Sequence, residues 1–335
     1  MYRIGRSPWL FCLAILPILV EGTTAALASS PTGGPARSRS TRHASAPPCA
    51  NAAQWQIRLN QHGFSSGQID GSVGLSTRRA LAAFQKTRGL APTGKPDCAA
   101  WQALDEGGEK PTLMPYTITA DDVKGPFIER VPADMGAAAR LPALAYTSPI
   151  EALAERFQAA PALLKRLNPR ARFVAGERIT VPAVTPFDDG AKPQHDPAAT
   201  DVSVRVSREE SALRVTRPDG TLVFFAPVSS GSTHDPLPPG SWKVTSVTWR
   251  PVFHYNPDLF WDADPKDDAA TIKAGPNNPV GVVWIGLDLE HYGLHGTPEP
   301  ASIGATTSHG CVRLTNWDAA RLAALVKPGT QVVFE

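Results

Sequence analysis

The 335-residue sequence lacks any block of lysine or arginine, and its 33 basic residues nearly balance 31 acidic ones, for a formal charge of +2. Tracking a phosphate backbone needs clustered positive charge, so nucleic acid is excluded as an expected partner. Cysteine is scarce: four in the chain, with no CxxC pair and no glutamate set between histidines as in a zinc protease helix. Long apolar runs are scarce too. Beyond residues 9–20 no segment is long and apolar enough to cross a bilayer. The 33 prolines and 27 glycines make up less than a fifth of the residues. That is too few for disorder throughout and points instead to loops and linkers between cores.

What is present begins with an export pattern. Arg3 and Arg6 precede the apolar stretch 9–20, and Ala26-Leu27-Ala28 is a small-residue cleavage site. Cleavage is expected after Ala28 and delivery to the periplasm or cell wall; an uncleaved membrane anchor is the other reading. Cys12 follows Trp9-Leu10-Phe11, too bulky a neighbourhood for lipidation. Export implies an oxidising compartment, where three remaining cysteines leave one unpaired. Cys49 and Cys98 flank one compact segment and are candidates for a disulfide. Cys311 is then the free thiol, and a thiol kept free under oxidation calls for a reason such as reactivity.

Composition and periodicity divide the rest. Residues 29–48, rich in Ser, Pro, Arg and Ala without an apolar face, read as a disordered tether. Residues 49–106 read as a small helical domain. One helix spans 53–61, with Trp55 and Leu59 on one face. A second spans 77–88 behind Ser76, with Ala80, Leu81 and Phe84 inward, and a third short helix carries Trp101 and Leu104. Residues 107–142 read as linker. Residues 143–183 show two short helical patterns, 150–157 and 162–167, the second stopped by Asn168-Pro169, then a short strand through Ile179 and Val181. Residues 184–201 read as a second linker. From Val202 the period becomes two: 202–206, a hairpin over 212–226 turning at Pro218-Asp219-Gly220, then 242–249, 282–287 and 330–334. One late helix follows Thr315, with Asp318 placed for a capping box. The last domain, 202–335, is therefore mostly β.

The segment HGTPEPASIGATTSHGCVRL, residues 295–314, concentrates the chemistry. A thiol attacks a carbonyl only as thiolate, so it needs a base or a positive environment. His295 lies sixteen residues before Cys311 across a loop able to double back. Ser308-His309-Gly310-Cys311 is a tight turn whose N–H groups suit an oxyanion. Arg313, two residues past the thiol, suits a carboxylate. Two other readings stand beside this one: a buried thiol among hydrogen-bonded histidines, and a zinc site made from His291, His295, His309 and Cys311.

Three resemblances sharpen these readings. Leu59, Gly63-Phe64, Ile69-Asp70-Gly71, Gly74, Thr77, Ala80, Phe84-Gln85, Gly89-Leu90 and Thr93-Gly94 resemble the three-helix peptidoglycan-binding module of cell-wall hydrolases. The pattern YTSPIEALAERFQAAPALLKRLNP…GERITVP is similar to a LysM glycan-binding repeat, without its first strand. His295-Gly296-Thr297, Ser308-His309-Gly310-Cys311-Val312-Arg313-Leu314 and Asp318, with 275–281 (GPNNPVG) upstream, resemble the signature of YkuD-type L,D-transpeptidases.

The last resemblance implies a β-sandwich over 202–335. It implies Cys311 as nucleophile, His295 as general base and acid, and the Gly296 carbonyl as the group that orients the imidazole. Backbone N–H groups at Gly310 and Cys311 would form the oxyanion hole, and Ser308 and His309 would shape the turn. Arg313 would bind substrate or form a structural ion pair, and Asp318 would cap a helix. Trp249, Tyr255, Phe260 and Trp261, in and beside the 250–280 insertion, would wall the cleft or pack a core. The implied substrate is the peptidoglycan tetrapeptide stem, with D-alanine released and an amine of another stem or of an anchored envelope protein as acceptor. No metal or organic cofactor is implied, and β-lactams, carbapenems above all, are implied covalent inhibitors. The alternatives are an L,D-carboxypeptidase with the same Cys-His site, or a non-catalytic wall-binding protein.

Overall fold

The computed structural model describes residues 49–106, 110–306 and 308–335. The expected signal segment 1–28, the tether 29–48 and Cys12 lie outside the described residues. Among the described residues no helix is long and apolar enough to cross a membrane.

The helical domain consists of α1 (Ala52–Gln61), α2 (Leu75–Thr87) and α3 (Cys98–Asp105). Asn51 starts α1 with a capping box: its side chain accepts from Gln54 N while the Gln54 side chain accepts from its own N–H. Helix α2 begins earlier than the sequence suggests. Gly74 is its N-cap, and Ser76 lies inside the first turn. Cys49 and Cys98 are joined by a disulfide.

An accessory module follows. Strand β1 (Leu113–Thr117) pairs antiparallel with β2 (Arg178–Pro182), and α5 (Pro149–Arg156) and α6 (Pro161–Leu167) pack on that pair. Strand β1 and the short helix α4 (Met135–Arg140) both lie in 107–142, expected as linker. The run LMPYT is short and interrupted by Pro115, so its period was invisible in sequence; pairing with β2 makes it a strand. Ile57 and Ile69 of the helical domain enter this module's core beside Phe157 and Leu164.

The C-terminal domain is built on β3 (Ser203–Ser207), β4 (Ala212–Thr216), β5 (Leu222–Pro227), β6 (Ser229–Ser230), β7 (Gly240–Trp249), β8 (Phe253–Tyr255), β9 (Ala270–Ile272), β10 (Val283–Leu287), β11 (Gly293–His295), β12 (Val312–Arg313) and β13 (Gln331–Phe334), with α7 (Asn316–Leu325) before the last strand. Among the described residues nine of these strands form one sheet, ordered β5-β4-β3-β13-β7-β10-β11-β12-β6. The expected two layers are halves of this sheet. Strand β7 belongs to both: residues 240–243 pair with β13 and residues 244–249 with β10. Val204, Leu213 and Phe334 from one half meet Val283, Ile285 and Leu294 from the other in a single core. Strands β8 and β9 form a separate hairpin, and its Tyr255 and Ile272 pack against Ala138 and Leu144. The expected second linker is also anchored: Phe187 and Ala199 enter the main core.

The helical domain is built into the sheet rather than strung from it. Ser65 N donates to Phe225 O at 2.8 Å and Phe225 N to Gly63 O at 2.9 Å, so residues 63–65 cover the edge strand β5. Gly63 is required there, since at φ +90° a Cβ would stand 3.1 Å from Val223 O. Neighbouring side chains on β5 divide between two cores. Phe224 joins the sheet core, while Phe225 joins Leu59, Leu81 and Phe84 of the helical domain. Each fully buried phenylalanine contributes about 1.5–3 kcal/mol.

Candidate active site

Strands β11 and β12 are parallel neighbours, with Leu294 opposite Val312 and His295 opposite Arg313. Parallel neighbours need a crossover of about a dozen residues or more. The stretch between His295 and Cys311 is that crossover, which explains the spacing seen in the sequence. Register partners share a face of the sheet, and side chains alternate along a strand. Arg313 therefore shares the face of His295, and Cys311 sits in the bend just before β12.

His295 is 5% exposed, and its Nδ1–H donates to the carbonyl of Gly296 at 2.7 Å. A carbonyl only accepts, so this bond sets the tautomer and leaves Nε2 with its lone pair. Across the β10–β11 pair the ring stacks on Trp284, with centroids 5.5 Å apart and planes 20° off parallel. Burial lowers the imidazole pKa to about 4, with the Arg313 charge acting the same way and the Gly296 bond opposing.

Among the described residues Cys311 is the free cysteine, and it is half-buried. Its Sγ lies 3.5 Å from His291 O. Burial pushes the thiol up to about 11, against the backbone of Gly293 and the Arg313 charge, which both lower it. At neutral pH the site thus holds a thiol and a neutral imidazole.

The turn before the cysteine is tightly specified. Ser308 Oγ donates to Cys311 O and accepts from Gly231 N at 2.8 Å. Gly310 has φ +102°, and a Cβ there would meet the Tyr292 ring at 3.0 Å. His309 turns outward to Asp262, with Nε2 and Oδ1 2.7 Å apart, and meets Phe260 edge-on with ring centroids 5.1 Å apart. It does not join His295. Arg313 Nη2 donates to Thr306 Oγ1 at 2.9 Å. His291 sits 3.5 Å from Glu290 on the surface. Among the described residues no three His, Cys, Asp or Glu side chains are grouped to hold a metal ion.

The four aromatic residues near the insertion have separate fates. Trp249 packs against the sheet core and Tyr255 is buried against Ile272. Phe260 and Trp261 reach His309, and Trp261, 57% exposed, stacks on His234 at 4.2 Å. Asp318 does not cap α7. Thr315 is the cap, accepting from Asp318 N, while the Asp318 carboxylate takes a bond from Ser65. Trp284, Tyr292 and Asn316 were not singled out in the sequence. Tyr292 stands beside the HGT motif, but only the fold lays its ring on Gly310. A cavity of about 820 Å³ lies elsewhere, lined by Asn60, Gln158, Phe187, Asp318 and Arg321, with no residue of 295–314.

Two family models match the chain. Residues 201–334 match the YkuD family, the L,D-transpeptidase catalytic domain. Residues 50–104 match a peptidoglycan binding domain. The chain is 26% identical over 185 residues to the protein named L,D-transpeptidase YkuD from Bacillus subtilis, covering 55% of this chain and 91% of that one. It is 37% identical over 94 residues to the protein named L,D-transpeptidase YbiS from Escherichia coli, covering 28% of this chain and 29% of that one. Among solved structures, an L,D-transpeptidase from Mycobacterium smegmatis aligns at 20% identity and a TM-score of 0.33, over 40% of this chain and 58% of that one. The segment that matches the YkuD model thus includes both His295 and Cys311, and the segment that matches the peptidoglycan binding model is the helical domain packed on the edge strand β5.

Proposed function

We propose that the protein is a cysteine-dependent L,D-transpeptidase acting on peptidoglycan tetrapeptide stems. The observation that carries this reading is the lock of His295 Nδ1 on the Gly296 carbonyl, which leaves Nε2 with a lone pair to act as base, on the strand paired with the one that Cys311 leads into. Cys311 Sγ attacks the carbonyl between the third stem residue and the terminal D-alanine while its proton passes to His295 Nε2. The N–H groups of Gly310 and Cys311 receive the developing oxyanion. The C–N bond breaks, the departing D-alanine amine takes the proton from His295, and a thioester remains. An amine from a second stem, or from an anchored envelope protein, attacks the thioester. Its proton returns through His295 to the sulfur as the C–S bond breaks.

Ser308 and His309 line the cleft in this reading, and Arg313 serves a stem carboxylate. The peptidoglycan binding domain, packed on the sheet, presents wall polymer at a fixed position. The accessory module serves as a LysM-like glycan-binding unit, a reading supported by its two helices on a two-stranded sheet. The Cys49–Cys98 disulfide favours an exported protein working in the periplasm or wall after cleavage near Ala28.

Incubation with a carbapenem followed by intact mass measurement tests the nucleophile. Native protein gains one adduct, Cys311→Ala none, and His295→Ala gains it far more slowly. Absence of the native adduct would overturn the reading. Digestion of tetrapeptide muropeptides separates the outcomes: crosslinked dimers with free D-alanine support transfer, while tripeptides alone identify an L,D-carboxypeptidase.

A further inference from the structure

The 275–281 segment, GPNNPVG, has no part in the chemistry above, yet it is densely held by the accessory module. Asn277 N donates to Leu144 O, and Asn277 Nδ2 donates to Ala145 O and to Glu151 Oε1, each at 2.9 Å. One helical turn further along α5, Glu155 is 6% exposed, and its Oε1 accepts from Asn316 Nδ2 at 2.6 Å. Asn316 is fully buried. Its Nδ2 also donates to Pro276 O at 3.1 Å, and its Oδ1 accepts from Val282 N at 3.1 Å. A Cβ at Gly281 or at Gly296 would overlap that same Oδ1. The Asn316 amide therefore rests directly on the peptide whose carbonyl holds His295.

Its orientation has a clear cause. Glu155 Oε1 and Pro276 O accept hydrogen bonds, so they select the NH2 end, which leaves the oxygen for Val282 N and the glycine pair. Without Glu155 one of the two groups choosing the NH2 end is lost, and a buried donor is left short of a partner.

We propose that Glu155 is a positioning residue for His295, acting through Asn316 and the Gly296 peptide, so that the accessory module completes the catalytic site. This rests on the reading of His295 as the base. The groups facing Glu155 are Glu151 on its own helix, Asp189 from the following segment and the Tyr146 hydroxyl; Arg250 pairs with Asp189 at 3.3 Å. Burial pushes Glu155 up to about 8, lowered by the Asn316 bond and raised by Asp189 and Glu151. At neutral pH the carboxyl is protonated, a form that glutamine imitates.

The test is single-turnover acylation of the full chain by a carbapenem from pH 5 to 9, with the His295 Nδ1–H proton resonance recorded in parallel. Glu155→Leu is expected to lower the acylation rate constant at least about tenfold with half-saturation unchanged, and to shift or broaden that resonance. Glu155→Gln recovers most of the rate and removes any slope near pH 8. Glu155→Asp, which withdraws the acceptor by one methylene yet keeps its chemistry, gives an intermediate loss if the leucine variant does not fold. Native rates, an unchanged pH profile and an unchanged resonance in the leucine or aspartate variant overturn the proposal. If the native chain forms no adduct at Cys311, the catalytic reading fails instead, and the resonance alone still decides whether Glu155 positions His295.

Discussion

Ser65 Oγ donates to Asp318 Oδ2 at 2.8 Å, joining the helical domain to α7, the helix that follows β12. Both residues are buried, and Ser65 also accepts from Gly67 N at 3.0 Å. Removing the hydroxyl leaves a buried carboxylate short of a donor. Ser65→Ala should lower stability by about 1–3 kcal/mol in denaturant unfolding.

The same carboxylate gives a pH signature. Burial pushes Asp318 up to about 6 from an ordinary value of 3.8, against the Ser65 and Thr315 bonds and the Arg321 charge. A carboxyl raised in the folded state costs stability once it ionises. Stability therefore falls as pH rises from about 4 to about 6 and is flat for this group beyond. Asp318→Asn lacks that fall, so its stability relative to the native chain should rise between pH 4 and 7, by up to about 3 kcal/mol. A difference that declines over this range would contradict the assignment.

His295 and Cys311 predict an unusual rate profile. With the imidazole near 4 and the thiol near 11, both partners keep their reactive forms across neutral pH. The second-order rate constant for carbapenem acylation should be level from about pH 5.5 to 9 and fall below about pH 4.5. A bell with both limbs between pH 6 and 8 would instead identify a thiolate–imidazolium pair. The stability linkage runs the other way from Asp318. A histidine lowered in the folded state loses stability as pH falls from 6.5 towards 4, and His295→Gln should flatten that limb.

Gly310→Ala combines a left-handed backbone with a Cβ 3.0 Å from Tyr292. We expect an acylation rate at least about tenfold lower, from displaced oxyanion donors, with a stability loss of about 1–2 kcal/mol. Tyr292→Ala added to it should restore stability more than rate, because the strain in φ remains. Equal recovery of both would mean that the ring contact alone was at fault.

The Cys49–Cys98 disulfide closes a sequence separation of 49 residues around the helical domain. Replacing both cysteines by serine should cost about 4 kcal/mol on loop entropy. The loss should appear first in hydrogen exchange of α1 to α3, with the sheet protected until global unfolding. Uniform loss across the chain would show that docking on Phe225 makes the two domains one cooperative unit.

Much of this was legible in the chain itself. Alternation at Val204 and Val206 and at Leu213 and Val215 marked strands, and helical spacing at Trp55 and Leu59 or Ala80 and Phe84 marked helices, because these segments bury one face with a regular period. The HGT and SHGCVRL motifs pointed to His295 and Cys311 through a family resemblance, whereas their spacing alone left a buried thiol and a zinc site open. Strand β1 was not legible: Pro115 interrupts its five residues, and it exists because β2 satisfies its backbone.

The sequence by itself therefore determined the order of the helical and mostly-β domains and the outline of three cores. Tertiary structure alone decided that His295 faces Arg313 across parallel strands, that Asp318 answers Ser65 instead of capping its helix, and that Glu155 reaches Asn316 across 161 positions. These are single contacts between residues with no periodic or local relation. They arise where buried polar groups must find partners, and only the folded chain brings the partners within reach.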